Sequence, residues 1–183
     1  MTSTPLQRVL TGSLLVAPAV YLIADLLYAT RGWDDPVAAV VHVLGAVGYT
    51  VVMFRLATLG EGLLAAVLLV VGVFGAAGDV AYGFNTIHVS LGDTDLVDAS
   101  GAAVLIKPLG LCLPLTLLLG AVVLRGRAPA WAVGLLAVSA LIWPVAHIAD
   151  VGWLAVLVNL LLTTAFGAVS VALSRAPQPL PVI

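Results

Sequence analysis

Apolar residues run along this chain in six long blocks, near 9–29, 37–58, 62–82, 101–124, 129–149 and 152–173, and the intervening stretches hold most of the charged side chains. Each block approaches the roughly 20 residues that a helix needs to cross about 30 Å of hydrocarbon. The pattern therefore predicts an all-α polytopic membrane protein, a bundle of six transmembrane helices. Little chain is left over. A single membrane domain over 1–175 is expected, followed by a tail over 176–183 that Pro177, Pro179 and Pro181 should hold extended.

Composition reinforces the class, because 62% hydrophobic residues, 9% charged residues and a mean hydropathy of +1.20 exceed what 183 residues can bury in a soluble core. The formal net charge of −2 gives no footprint for a nucleic-acid partner. The single Cys112 falls within a predicted helix, so no disulfide framework arises. Arg8, a short apolar run and Ala17-Pro18-Ala19 mimic a signal peptide with its cleavage site. The run continues unbroken through Tyr28, so an uncleaved first span is expected instead.

Basic residues set orientation more strongly than acidic ones. Arg8, Arg55, Arg125, Arg127 and Arg175 fall in the terminal regions and the even connections, whereas only Arg31 falls in an odd one. This places both termini in the cytoplasm and the protein in the cell membrane. Asp34, Asp35, Asp93, Asp95, Asp98 and Asp150 then lie outside and only Glu61 inside.

Within the blocks, Asp25, Asp79 and His147 come near the ends of outward-running helices, and His42 and Lys107 near the starts of inward-running ones, with Asn159 deeper. The ionisable residues thus crowd the outer half. The inner half carries mainly Ser13, Thr50, Ser139, Thr163, Thr164 and Ser170, hydroxyls that can bond to carbonyls of their own helix. Helical spacing gathers the polar positions into stripes: Pro18, Tyr21, Asp25 and Tyr28; His42, Gly45 and Tyr49; Asp79 and Tyr82; Trp143, His147 and Asp150. A charge in hydrocarbon costs about 2.5–3.5 kcal/mol on insertion scales, so these stripes should face the bundle interior or a wet cavity. A polar, aromatic-lined pocket opening outward is inferred.

Asp79, Asp25, His42 and His147 are the candidates for acid and base. Tyr21, Tyr28, Tyr49, Tyr82, Asn85, His88, Lys107, Trp143, Asp150 and Asn159 are the candidates for ligand contact. Plainer readings stand beside these. Asp25 and His147 are close enough to helix ends to be interfacial groups in contact with water. Trp33, Trp143 and Trp153 suit an outer belt and Trp131 an inner one, and Pro18, Pro108, Pro114 and Pro144 suit kinks. Lys107, about 10 Å along its helix, calls for a carboxylate partner; Asp79 is the expected one and Asp25 the next.

The stretch 83–100 exceeds the 2–8 residues usual between bundle helices, and it is read as a loop able to fold over the pocket. Its Asp93, Asp95 and Asp98 lack the glycine and terminal glutamate of an EF-hand, and Asp98 or Ser100 suits an N-cap for the fourth helix. For metals, His42 and His147 are the pair that could ligate haem or zinc. The local motifs of haem attachment and zinc sites are missing, so no cofactor is expected. One internal echo, Ile23-Ala24-Asp25 with Trp33 and Ile148-Ala149-Asp150 with Trp153, has the form of a parallel repeat.

The segments Leu14-Leu15-Val16-Ala17-Pro18 to Asp25-Leu26-Leu27-Tyr28 and Val41-His42-Val43-Leu44, with six Arg against one Lys, resemble the functionally unassigned small six-helix integral membrane proteins of GC-rich actinobacteria. That resemblance implies membrane class and no catalytic residue. From the residues themselves the leading expectation is an outer-half pocket that binds a small hydrophobic or lipid-like ligand, with acid-base chemistry available to it. A proton-coupled small-molecule transporter and a structural or accessory membrane subunit are the alternatives. The lipid bilayer is the expected partner.

Overall fold

The computed structural model describes residues 4–175, so the Pro-rich tail lies outside the described residues. Among these residues six helical spans are long and apolar enough to cross a membrane, and no strand occurs. The chain is a multi-pass, all-α membrane protein. Its helices are α1 (Pro5–Arg31), α2 (Pro36–Leu59), α3 (Gly62–Ser90), α4 (Ile106–Gly110), α5 (Cys112–Val123), α6 (Ala130–Ile148) and α7 (Gly152–Arg175). A 3-10 turn over Gly101–Leu105 precedes α4 and, with α4 and α5, makes the fourth span.

Local chemistry sets the helix ends. Thr4 and Gln7 form a capping box at α1, and the Asp35 side chain accepts from the Ala38 amide at 2.8 Å just before Pro36 opens α2. Each span packs against its neighbours in sequence, and α1 packs against α7, which closes the six spans into a ring. Leu14, Tyr49, Met53, Leu56, Leu117, Leu136 and Phe166 fill its interior. Val16, Leu44, Phe54, Val70, Phe74, Leu141 and Leu160 are exposed on its outside. An apolar exterior on every full-length span is the surface that lipid tails solvate.

Two expectations about elements need correction. The stretch read as a loop over 83–100 begins inside a helix, because α3 runs on to Ser90 and carries Asn85 and His88 with it. The true connection starts at Leu91. The fourth span, expected as one helix, is interrupted at Leu111, and Ser100 makes no side-chain cap. Pro114 accounts for the interruption, since it lacks the amide hydrogen that would bond the Gly110 carbonyl and its ring crowds that carbonyl, while Pro108 lies in the first turn of α4, where a proline is tolerated. By contrast, Pro18 and Pro144 lie inside α1 and α6 without ending them.

Glycines on α3 let this interrupted segment come close. A Cβ on Gly75 would lie 2.5 Å from the Leu113 nitrogen, and one on Gly78 would lie 2.2 Å from the Gly110 nitrogen. Backbone therefore meets backbone one residue away from Asp79, and a Cβ on Gly110 itself would stand 3.4 Å from an Asp79 oxygen.

Candidate functional site

Toward the far end of the ring, opposite residues 4 and 175, five helices contribute polar side chains to one buried layer. Asp25, His42, Asp79 and Asn159 are almost wholly enclosed, and His147 is 9% exposed. The stripe on α1 is present as expected: Pro18, Tyr21, Asp25 and Tyr28 all point inward. Gly45 on α2 makes room for it, since a Cβ there would meet the Tyr21 ring at 2.9 Å.

Two sets of contacts organise the layer. In the first, the Tyr21 hydroxyl donates to Asp79 Oδ2 at 3.1 Å and lies 3.1 Å from His42 Nε2. A hydroxyl has one proton, so with that proton on Asp79 the Tyr21 oxygen accepts from His42 Nε2–H. His42 Nδ1 is then the free nitrogen, and it has no partner among the described residues. In the second set, the Asn159 amide donates to Asp25 Oδ2 at 2.6 Å, and His147 Nε2 stands 3.4 Å from Asp25 Oδ1. That last distance is an ion-pair approach without hydrogen-bond geometry. His147 Nδ1 lies 3.1 Å from the Trp143 carbonyl, to which its N–H donates.

Aromatic rings pack around both sets. Trp143 stacks on His147 with centroids 4.1 Å apart, Trp33 stacks on Tyr28 at 4.9 Å, and Tyr82 tilts against His42 at 5.5 Å. The Tyr49 ring meets Tyr21 edge-on at 5.6 Å, but its buried hydroxyl has no partner among the described residues. The Tyr28 hydroxyl likewise has none.

A cleft of about 180 Å³ reaches this layer from the far end of the bundle. Its floor includes His42, Asp79 and His147, its walls include Trp33, Tyr82, Thr86 and Trp143, and its mouth carries Asp34, Asp95, Asp98, Lys107 and Asp150. The connection after α3 is pinned beside it by Asn85, whose amide donates to Asp95 at 2.9 Å while its carbonyl accepts from the Leu96 amide at 2.7 Å.

Several expected positions are corrected. Lys107 does not reach Asp79; it is exposed and pairs with Asp98 in the preceding connection. Asp98 lies nine residues before Lys107, with the 3-10 turn over Gly101–Leu105 between them. His88 is exposed and pairs with Asp93 at 3.0 Å, away from the cleft. Asp150 leaves the α6 stripe, because α6 ends at Ile148 and Asp150 turns into the left-handed region at φ 54°. Its carbonyl accepts from the Trp33 indole at 2.8 Å, tying the first connection to the fifth. The echo between Asp25 and Asp150 is thus one of letters, with one residue buried in a helix and the other exposed in a turn. Asp25 and His147 are buried partners and not interfacial groups. Trp131 and Trp153 lie exposed at the starts of α6 and α7, whereas Trp33 and Trp143 turn into the cleft.

Asp34, Thr86 and Trp33 line the cleft although they were not singled out for it. Thr86 was legible: Asp79, Tyr82 and Thr86 keep helical spacing straight through the stretch taken for a loop. At the mouth, partial desolvation and the nearby Asp34 and Asp98 carboxylates raise the Asp150 carboxyl above its ordinary value. Among the described residues, no group of three or more His, Cys, Asp or Glu is arranged to hold a metal ion. No family model, no curated protein and no solved structure matches this chain.

Proposed function

We propose that the chain sits in the cell membrane with both termini cytoplasmic, and that its cleft opens outward to bind a small amphipathic or lipid-like ligand against His42, Asp79 and His147. One observation carries this reading: a single cleft, walled by aromatic rings, ends on three buried acid-base groups drawn from three different helices. Apolar walls with a few convergent polar groups are the usual make-up of a small-molecule site. The five-to-one distribution of arginines supports the orientation. The Tyr21 bridge between His42 and Asp79 supplies a route for proton exchange with a bound ligand, so acid-base chemistry is available in the same place.

The apolar packing of Leu14, Met53, Leu56, Leu136 and Phe166 beyond the polar layer favours a closed pocket over a through-path. A second reading, proton-coupled transport, draws on the buried hydroxyls of Tyr49 and Ser139, which lie inward of His42 and His147 on their own helices and have no partners among the described residues.

Single cysteines in a Cys112→Ala background test both readings. On intact cells, an impermeant thiol reagent should label cysteines replacing Asp95 and Thr86 but not one replacing Arg125. Cysteines replacing Met53 and Leu136 should resist reagent from either side. Labelling of the Arg125 position alone would reverse the orientation, and reactive Met53 and Leu136 positions would replace the pocket with a transport path.

A further inference from the structure

The cleft is strongly unbalanced in charge. Asp34, Asp79, Asp95, Asp98 and Asp150 border it, and Lys107 is the one Lys or Arg side chain that does so. Lys107 is itself spent on Asp98, which leaves the other carboxylates without a fixed cation. Asp34, Asp95, Asp98 and Asp150 are exposed around the mouth and Asp79 is buried at the floor, so the cleft carries a negative field that favours a cation over an anion. A second observation points the same way. His42 is about 1% exposed and borders the cleft, and its buried Nδ1 has no partner among the described residues, an acceptor that a donor on a bound ligand would satisfy. The walls suit a cation as well, since they include the rings of Trp33, Tyr82 and Trp143, and Trp is the strongest aromatic partner for an ammonium ion.

We infer that the site selects a small organic cation, a protonated amine with an apolar or aromatic body. This rests on the reading of the cleft as a ligand site and names the chemical class that it takes. The ammonium would donate to His42 and face the carboxylates, while the body lies against the aromatic walls. Size sets an upper bound: a cavity of about 150 Å³ accommodates benzene, so a cleft of about 180 Å³ admits a group of one ring and little more. Lys107 acts against such a ligand. It occupies one carboxylate and adds like charge at the mouth.

The probes are 2-phenylethylammonium, its neutral isostere 2-phenylethanol and the anion phenylacetate, each titrated into the purified full-length protein with tryptophan fluorescence as the readout. The ammonium should bind saturably and about tenfold or more tightly than the alcohol, the scale of one desolvated cation-aromatic contact. Phenylacetate should bind weakest. The mouth variants Asp34→Asn and Asp98→Asn, which leave the buried layer untouched, should weaken the ammonium severalfold and leave the alcohol unchanged. Lys107→Met should tighten the ammonium. Equal binding of alcohol and ammonium overturns the charge preference while the ligand site stands. Preference for phenylacetate, with Lys107→Met weakening it, overturns the inference in favour of an anion. Calcium chloride that changes the fluorescence saturably where the amine does not makes the site inorganic and overturns it too. Absence of saturable binding by all three probes defeats both the inference and the site reading beneath it.

Discussion

The two ends of this bundle solve the same problem with opposite means. At the far end five helices are joined by side chains: Tyr21 to His42 and Asp79, Asp25 to Asn159 and His147, Trp33 to the Asp150 carbonyl. At the end nearer residues 4 and 175 the helices meet mainly through apolar packing, with one surface pair between Arg127 and Glu61 at 3.4 Å, and several hydroxyls turn back on their own chain, as Ser13 does to the Leu10 carbonyl, Thr163 to Asn159 and Thr164 to Leu160. Burying carboxylates in the far layer is costly, whereas hydroxyls and amides suffice to join membrane helices. That contrast is what motivates the proposed ligand site at the far end.

The largest effect should come from removing a carboxylate of the layer. Asp25→Leu leaves the Asn159 amide and His147 without their common partner, and truncating one side of a buried polar pair costs about 3–5 kcal/mol. Asp25→Asn, which keeps the shape, should cost less. The triple variant Asp25→Leu, Asn159→Leu, His147→Phe should regain much of the loss, because fully apolar replacements of buried polar sets can be nearly neutral. Thermal unfolding in detergent measures this. Losses that simply add across the three sites would show that these residues are not one unit.

Next in size are the glycines. Gly78→Ala places a Cβ 2.2 Å from backbone at Gly110, with no flexible side chain to give way, so the cost should be about 1–3 kcal/mol or more. Gly134→Ala on α6 meets nothing within 4 Å and should be neutral or stabilising by up to about 1 kcal/mol. Equal unfolding temperatures for the two variants would deny the close approach of α3 to the interrupted span.

How far the sequence carried the reader differs between the same two ends. Block length and composition were enough for six spans, because the hydrocarbon thickness imposes one length on every crossing. Stripe spacing was enough to bring Tyr21, Asp25, His42, Asp79 and His147 inward together. Pairing was not legible. Lys107 was matched to Asp79 by depth counted along an unbroken helix, whereas the span opens with a 3-10 turn over Gly101–Leu105 and the Lys107 side chain turns back to Asp98. Asn85 and His88 were set in a loop since the apolar block stops at Tyr82, yet α3 runs on past the end of that block to Ser90, and a helix need not end where its apolar face does. The partner of Asp25 lies 134 residues away on α7, a contact that no local pattern encodes.

Two tyrosines sharpen the comparison at smaller scale. Tyr21 and Tyr49 are both buried and touch edge to ring, but only the Tyr21 hydroxyl is engaged. Tyr21→Phe strands the His42 Nε2–H donor and an Asp79 acceptor and should cost about 1–3 kcal/mol. Tyr49→Phe removes a hydroxyl that has no partner among the described residues, and it should be neutral or stabilising. A Tyr49→Phe loss as large as that of Tyr21→Phe would mean that Tyr49 takes part in the layer, and it would extend the polar region inward.

The smallest effect belongs to the mouth, where the far end meets water. Asp150 is held at φ 54° with its carboxyl raised by partial desolvation and by Asp34 and Asp98. A carboxyl that binds its proton more tightly in the folded state than at its unfolded value of about 3.9 stabilises the fold below that value. This contribution fades as pH rises through the raised value, where the ionised form meets its neighbours. Asn adopts the left-handed backbone as readily as Asp and carries no charge. Asp150→Asn should therefore raise the unfolding temperature at pH 7.5, and the gain should shrink to nothing near pH 3.5, where Asp150 itself is protonated. Asp25→Asn should behave in the opposite sense at neutral pH, with a loss in place of a gain, since Asp25 has Asn159 and His147 to hold it while Asp150 faces other carboxylates. A gain for Asp150→Asn that is flat across the range would assign the effect to the turn and not to the charge.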